Sequence, residues 1–185
     1  VRRDGYRIEK IVYQTLPGVG AAAHLYVPDA LTAPAPGILF YPGHWREDSK
    51  TRPEFQAFCI NMARLGFVVL NFDPIGQGER GVSTRDHRRA EGLLTGISHQ
   101  GLAEYDTQCA LEYLLSRKEV DTERIGMTGA SGGGGGGRAQ AVAAVRLTSL
   151  RRRMTSSRKC SNCRGLMRQR SAPASYIRLI TSCSG

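Results

Sequence analysis

The string Gly129-Ala130-Ser131-Gly132-Gly133 sets a serine among small residues in the spacing G-x-S-x-G. A serine hydroxyl is a weak nucleophile at neutral pH. It becomes a strong one when a sharp strand-to-helix turn lifts it above a sheet edge and a neighbouring base takes its proton. Such a turn is strained and excludes bulk on both sides, a demand that glycine and alanine meet. Arg124-Ile125-Gly126-Met127-Thr128-Gly129 reads as a short strand running straight into it, so the required context is present. The bland alternative is a Gly-rich loop with an incidental serine. The strand favours Ser131 as a catalytic nucleophile for acyl transfer.

Acyl transfer also needs N–H groups aimed at the oxygen on which charge develops, one from the residue after the nucleophile and one from the loop after an earlier strand. Gly132 is expected to supply the first oxyanion donor. Tyr41-Pro42-Gly43-His44-Trp45, where an apolar run breaks into a Gly turn, is expected to supply the second through the backbone N–H of His44, with Trp45 beside it as a substrate-binding residue. His44 as a side-chain catalyst and His44 as an ordinary loop histidine are the rival readings.

These groups need a scaffold. Arg7 to Tyr13 and Ala22 to Val27 read as two strands joined by a turn at Pro17-Gly18, hence a hairpin. After a Pro/Ala-rich loop from Pro28 to Pro36, Gly37-Ile38-Leu39-Phe40-Tyr41 is the short continuous apolar run of a strand buried on both faces. Phe55, Phe58, Cys59, Met62 and Leu65 recur at helical spacing, with Pro53 suited to the first turn and Gly66 to the C-terminal cap. Phe67 to Phe72 reads as another buried strand, and Leu102 to Leu115 as a helix packed on a sheet. Alternating strands and helices predict an α/β fold with a mostly parallel, doubly wound sheet. Gly81 to Gln100 is polar and aperiodic and reads as a surface loop.

Four segments in order carry a resemblance: Pro42-Gly43-His44, Leu65 to Leu70, Phe72-Asp73-Pro74-Ile75-Gly76-Gln77-Gly78-Glu79-Arg80, and Arg124 to Gly133. Together they resemble the α/β-hydrolase superfamily, in particular its acetyl xylan esterase/cephalosporin-C deacetylase-like branch, related to dienelactone hydrolases and prolyl oligopeptidases. The resemblance spans residues 7–134. It implies hydrolysis of carboxylic esters, including acetyl esters of carbohydrate, by a Ser-His-Asp triad with no metal or organic cofactor. It further implies that the loop from Asp73 to Arg80 shapes the site, with Asp73 and Arg80 in structural roles.

The pattern breaks after the serine. The superfamily order is nucleophile, acid, histidine, yet no Asp, Glu or His follows Ser131. His24, His44, His87 and His99 all lie upstream; His24 reads as a satisfied strand residue, and His87 and His99 as solvated loop residues. Gly132 to Gly137 are consecutive glycines, each costing a helix interior about 1 kcal/mol relative to alanine. Residues 1–137 therefore read as the N-terminal part of an α/β-hydrolase domain whose C-terminal half is missing, and turnover as written is expected to be negligible. Residues 138–185 read as a basic Arg/Ser-rich tail, out of frame or disordered. The favoured origin is a reading-frame shift in or near the repetitive glycine codons.

The net charge of +10 supports that division. Residues 1–137 hold all 16 acidic side chains and 15 of the 26 basic ones, so the excess lies wholly in the tail. The alternative function is a noncatalytic α/β module whose tail binds nucleic acid or an acidic surface by salt-dependent phosphate contacts. Tyr176 is the one aromatic there for stacking bases, which argues against nucleic acid. Cys160-x-x-Cys163 offers half a zinc site and Cys183 a third thiolate, short of the four ligands a structural site wants. Five cysteines without a framework predict free thiols. No apolar run reaches the roughly 18 residues of a membrane span, so a soluble chain is expected. Val1 is not an initiator methionine, and the compartment, cytoplasmic or secreted, stays open.

Overall fold

The computed structural model describes residues 1–45, 47–81 and 98–130, with positions 94 and 96. The elements are β1 (Arg2–Arg3), β2 (Tyr6–Gln14), β3 (Gly20–Pro28), β4 (Ala35–Tyr41), α1 (Pro53–Arg64), β5 (Val68–Phe72), α2 (His99–Ser116) and β6 (Val120–Gly129). Single 3-10 turns occupy Ser49–Thr51 and Gly78–Arg80. The strands form one sheet in the order β1-β2-β3-β5-β4-β6.

The sheet is mixed. β2 and β3 form the expected hairpin, with Tyr13 opposite Ala21 and Gln14 opposite Gly20, and β3 joins β5 antiparallel. The central strands follow the parallel rule, since each return path runs through a helix: β4 pairs β5 with Leu39 opposite Leu70, and β4 pairs β6 with Phe40 opposite Thr128. The register of β4 on β6 slips between Pro36 and Gly37. A Cβ at Gly37 would lie 2.8 Å from Ile125 Cδ1 and 3.0 Å from Val120 Cγ1, so a side chain there would require the end of Ile125 to shift.

The strand period of two sorts the core into two layers. On one face Leu25, Leu39, Leu70 and Phe72 pack with Ala110, Leu111 and Leu114 of α2. On the other, Tyr26, Phe40 and Val69 pack with Phe55, Cys59 and Ala63 of α1. All five residues of β5 are buried because both faces are covered. α1 begins with proline in its first turn, where no N–H is needed. It ends at Gly66, whose φ of +93° lets its N–H reach Ala63 O while Phe67 N–H reaches Met62 O, a paired C-terminal cap. α2 starts three residues earlier than the apolar spacing of Leu102 to Leu115 suggests, because the Ser98 hydroxyl accepts the Gly101 N–H and caps it. His99 is thus the first helical residue, a correction to its placement in a loop. No helix among the described residues is long and apolar enough to cross a membrane.

Candidate active site

The C-terminal ends of β4 and β6 lie side by side. Tyr41 is opposite Gly129, and the Ala130 N–H donates to Tyr41 O at 3.2 Å, extending the pairing one residue past the strand. Ala130 packs against the core layer under α1. The chain thus delivers the residue before Ser131 to the edge from which the Pro42–Trp45 loop departs. Ser131 and Gly132 themselves, His87 and all of 138–185 lie outside the described residues.

Pro42 and Gly43 are buried and His44 is exposed. Gly43 has φ of +78°, a left-handed turn that only glycine enters without strain, and it swings the chain off the end of β4. The Trp45 N–H then donates to Gln77 Oε1 at 2.5 Å. Its ring is held on two sides, by the Arg52 guanidinium 3.8 Å from the ring centroid and by Phe55 in an edge contact at 6.0 Å. Trp45 Nε1 is buried with no hydrogen-bond partner among the described residues. The ring is a packed anchor of the loop more than an open stacking platform.

The loop from Asp73 to Gly81 is bound to its surroundings by buried charge. Asp73 is fully buried and its carboxylate accepts from Lys50 Nζ, from the Lys50 N–H at 3.2 Å and from the Glu79 N–H at 3.0 Å. Lys50 is 1% exposed and its ammonium also reaches Glu79 Oε1 at 2.5 Å. Asn71 Nδ2 donates to Lys50 O at 3.2 Å, which pins the 3-10 turn carrying the lysine against β5. Gly78 sits flat on the carboxylate, where a Cβ would come within 2.4 Å of Asp73 Cγ. On the far side Arg80 grips Asp106 of α2, Nη1 to Oδ2 at 2.6 Å and Nη2 to Oδ1 at 3.3 Å, and its Nη1 also donates to Asp73 O. Asp106 Oδ2 accepts the Ile75 N–H as well. Asp73 and Arg80 therefore have the structural roles the resemblance implied.

Burial shifts other titratable groups among the described residues. Burial, with Lys50 and Lys10, lowers His24 to about 4, and its Nδ1 is buried without a partner among the described residues, so it is not the satisfied histidine expected of β3. Tyr26 meets its ring edge-on at 6.3 Å. Cys59 and Cys109 are free thiols, as expected, and burial pushes Cys59 up to about 12.

Residues 1–136 match the Abhydrolase family. The chain belongs to that family, within the α/β-hydrolase superfamily. The chain is 32% identical over 120 residues to the protein named Putative hydrolase YtaP of Bacillus subtilis (strain 168), covering 60% of the chain and 40% of that protein. The chain thus spans about two fifths of the length of the curated relative. Among solved structures it is similar to the methylesterase BT1017, at 28% identity and TM-score 0.60, covering 73% of this chain and 29% of that one. It is also similar to the acetyl xylan esterase from Paenibacillus sp. R4, at 26% identity and TM-score 0.55, covering 71% of this chain and 43% of that enzyme.

The sequence reading missed Lys50, Gln77 and Asp106. Asp106 had a signal: it lies on the stripe that buries Ala103, Ala110 and Tyr113 of α2, and a carboxylate on an apolar stripe calls for a buried cation. Gln77 lies between two glycines with φ of +80° and +52°, a sign of a loop folded back on itself. Lys50 lies in an ordinary polar stretch and had no such mark.

Proposed function

We propose that this chain carries the nucleophile side of a serine esterase site. Ser131 Oγ is the nucleophile, the backbone amides of Gly132 and His44 hold the oxyanion, and Trp45, expected to bind substrate, instead anchors the His44 turn through its packed ring. The substrate is a carboxylic ester of a small molecule or carbohydrate, with acetyl the favoured acyl group. The observation that carries this reading is the Ala130 N–H bond to Tyr41 O, which abuts the G-x-S-x-G segment and the His44 loop at adjacent strand ends. The esterases among the similar structures support the substrate class.

Chemically, attack by Ser131 on the ester carbonyl forms the Oγ–C bond and places negative charge on the carbonyl oxygen, which the two amides stabilise. The proton leaving Oγ needs a base, and neither Asp, Glu nor His follows Ser131. An acyl-transfer site without its base retains only about 10³–10⁴-fold acceleration over water. This chain accordingly traps a serine-directed reagent slowly and turns over esters negligibly. The family match ends at residue 136, inside the glycine run, which supports reading 138–185 as out-of-frame sequence. The test is labelling by a fluorophosphonate with mass mapping of the adduct, beside hydrolysis of an acetyl ester. Slow labelling at Ser131 with almost no turnover is expected; family-typical turnover that depends on Ser131, or labelling unchanged in Ser131→Ala, refutes it.

The second reading, a noncatalytic module with a nucleic-acid- or acid-binding tail, rests on the 11 basic and no acidic residues of 138–185. It predicts salt-dependent nucleic-acid binding and no Ser131 adduct.

A further inference from the structure

We propose that Gln77 is a positioning residue for the oxyanion site, fixing the His44–Trp45 turn from the opposite loop. The inference rests on the acyl-transfer reading above. An amide plane is rigid, so fixing the Trp45 N–H also fixes the His44 carbonyl on the same peptide and limits the rotation open to the His44 amide just before it. The Trp45 N–H points at Gln77 Oε1 across 2.5 Å, joining residues 32 apart in sequence. Gln77 is 5% exposed, so water does not compete for that acceptor.

The glutamine is itself held. Its N–H donates to Pro74 O at 3.1 Å and its carbonyl accepts the Arg80 N–H at 3.0 Å. Gly76 and Gly78 on either side take left-handed φ values, which turn the chain so that one side chain leaves the loop toward Trp45. Below it, the Asp73–Lys50 pair and the Arg80–Asp106 pair fix both ends of the loop. From the other direction, Arg52 and Phe55 hold the Trp45 ring, so the indole resists rotation while the amide is clamped. A buried polar side chain whose acceptor serves the loop proposed to bind the oxyanion is a device for aiming a donor, since a donor misdirected by even a small rotation loses much of its effect on a transition state.

The test uses the full chain and a small fluorophosphonate, whose phosphoryl oxygen occupies the oxyanion position once Ser131 Oγ bonds to phosphorus, fluoride departs and the Oγ proton passes to solvent water. Saturation separates reagent binding from bond formation. Gln77→Met keeps the volume and removes the strong acceptor, and Gln77→Glu restores an acceptor oxygen. The expected result is unchanged half-saturation with bond formation slowed at least about tenfold in Gln77→Met, since deleting an oxyanion donor outright costs about 10²–10³. Gln77→Glu recovers to within about threefold of the native chain, and exchange of the Trp45 amide proton speeds up in Gln77→Met alone. If Gln77→Met fails to fold, Gln77→Asn, whose shorter arm withdraws the acceptor, is read the same way. Ser131-dependent bond formation at the native rate in the acceptor-deficient variant overturns the role of Gln77 and leaves the nucleophile standing. An adduct that survives Ser131→Ala, or no adduct in the native chain, overturns the acyl-transfer reading and this inference together.

Discussion

Replacing Lys50 by methionine strips the ammonium from a carboxylate that no water can reach. Asp73 is fully buried and Lys50 is 1% exposed, so neither charge has solvent as a fallback. Removing one partner of a buried pair costs about 3–5 kcal/mol, because the remaining charge is left uncompensated. Asp73 would keep the Lys50 and Glu79 backbone N–H groups at 3.2 and 3.0 Å, and hydrogen bonds to a charged group are each worth about 1.5–3 kcal/mol. Those retained bonds place Lys50→Met at the low end, about 3 kcal/mol. Glu79, whose side chain is 68% exposed, stays solvated and adds little. Asp73→Asn added to Lys50→Met removes the stranded charge and keeps an acceptor for Glu79, so the double variant recovers about 2 kcal/mol relative to the sum of the single losses. Urea titration followed by Trp45 fluorescence, the single tryptophan of the chain, reads this out. With a slope of about 1–3 kcal/mol/M, the midpoint of Lys50→Met falls by about 1–3 M. A loss below about 1 kcal/mol, or additivity of the two changes within about 0.5 kcal/mol, would refute the view that this pair anchors the loop.

Gly78→Ala should destabilise by about 2 kcal/mol or more, since its Cβ would meet Asp73 Cγ at 2.4 Å and its φ is +52°; a melting temperature equal to the native one counts against the packing of this loop. The Cys59 thiol, raised to about 12 by burial, should resist thiol reagents at pH 8 until denaturant is added, and immediate modification of the native chain would contradict its place under α1. His24 gives a pH signature. Its folded value of about 4 lies below the unfolded value near 6.5, so the unfolded state takes up the proton first. The cost is absent above about pH 6.5, grows as pH falls toward 4 and is constant below, reaching about 2 kcal/mol once screening at a partly exposed ring is allowed for. His24→Phe should remove that slope from the urea midpoints between pH 7 and 4; parallel curves would show that His24 titrates normally.

The hairpin, α1, β5 and the final strand were legible because each follows from local pattern: alternation in β2, a proline and a glycine bracketing α1, and a run of apolar residues in β5. The strand pairings come from the hydrophobic faces, which leave β4 and β5 only the sheet centre. The loops around the candidate site were legible at Gly43, Gly76 and Gly78, where left-handed φ values limit which residues fit. They were not legible at Lys50, Gln77 and Asp106, because a buried ion pair or an amide clamp joins residues 23 to 32 positions apart with no periodic trace. β6 also begins at Val120, earlier than Arg124, since the register slip beside Gly37 extends its pairing without any apolar alternation.

The two halves of the site differ in how far the chain must travel to build them. The proposed oxyanion side closes within a short stretch: Trp45 meets Gln77, and Lys50 meets Asp73, soon after β4 and β5 pair. The nucleophile side waits for Ala130 to find Tyr41, 89 residues back, across a parallel ladder. Loop closure over that span is slow relative to local contacts, so during synthesis the oxyanion loop is set while the segment bearing the serine has yet to arrive. In the proposed site the receptor for the transition state is thus assembled first and the reactive group is docked onto it last.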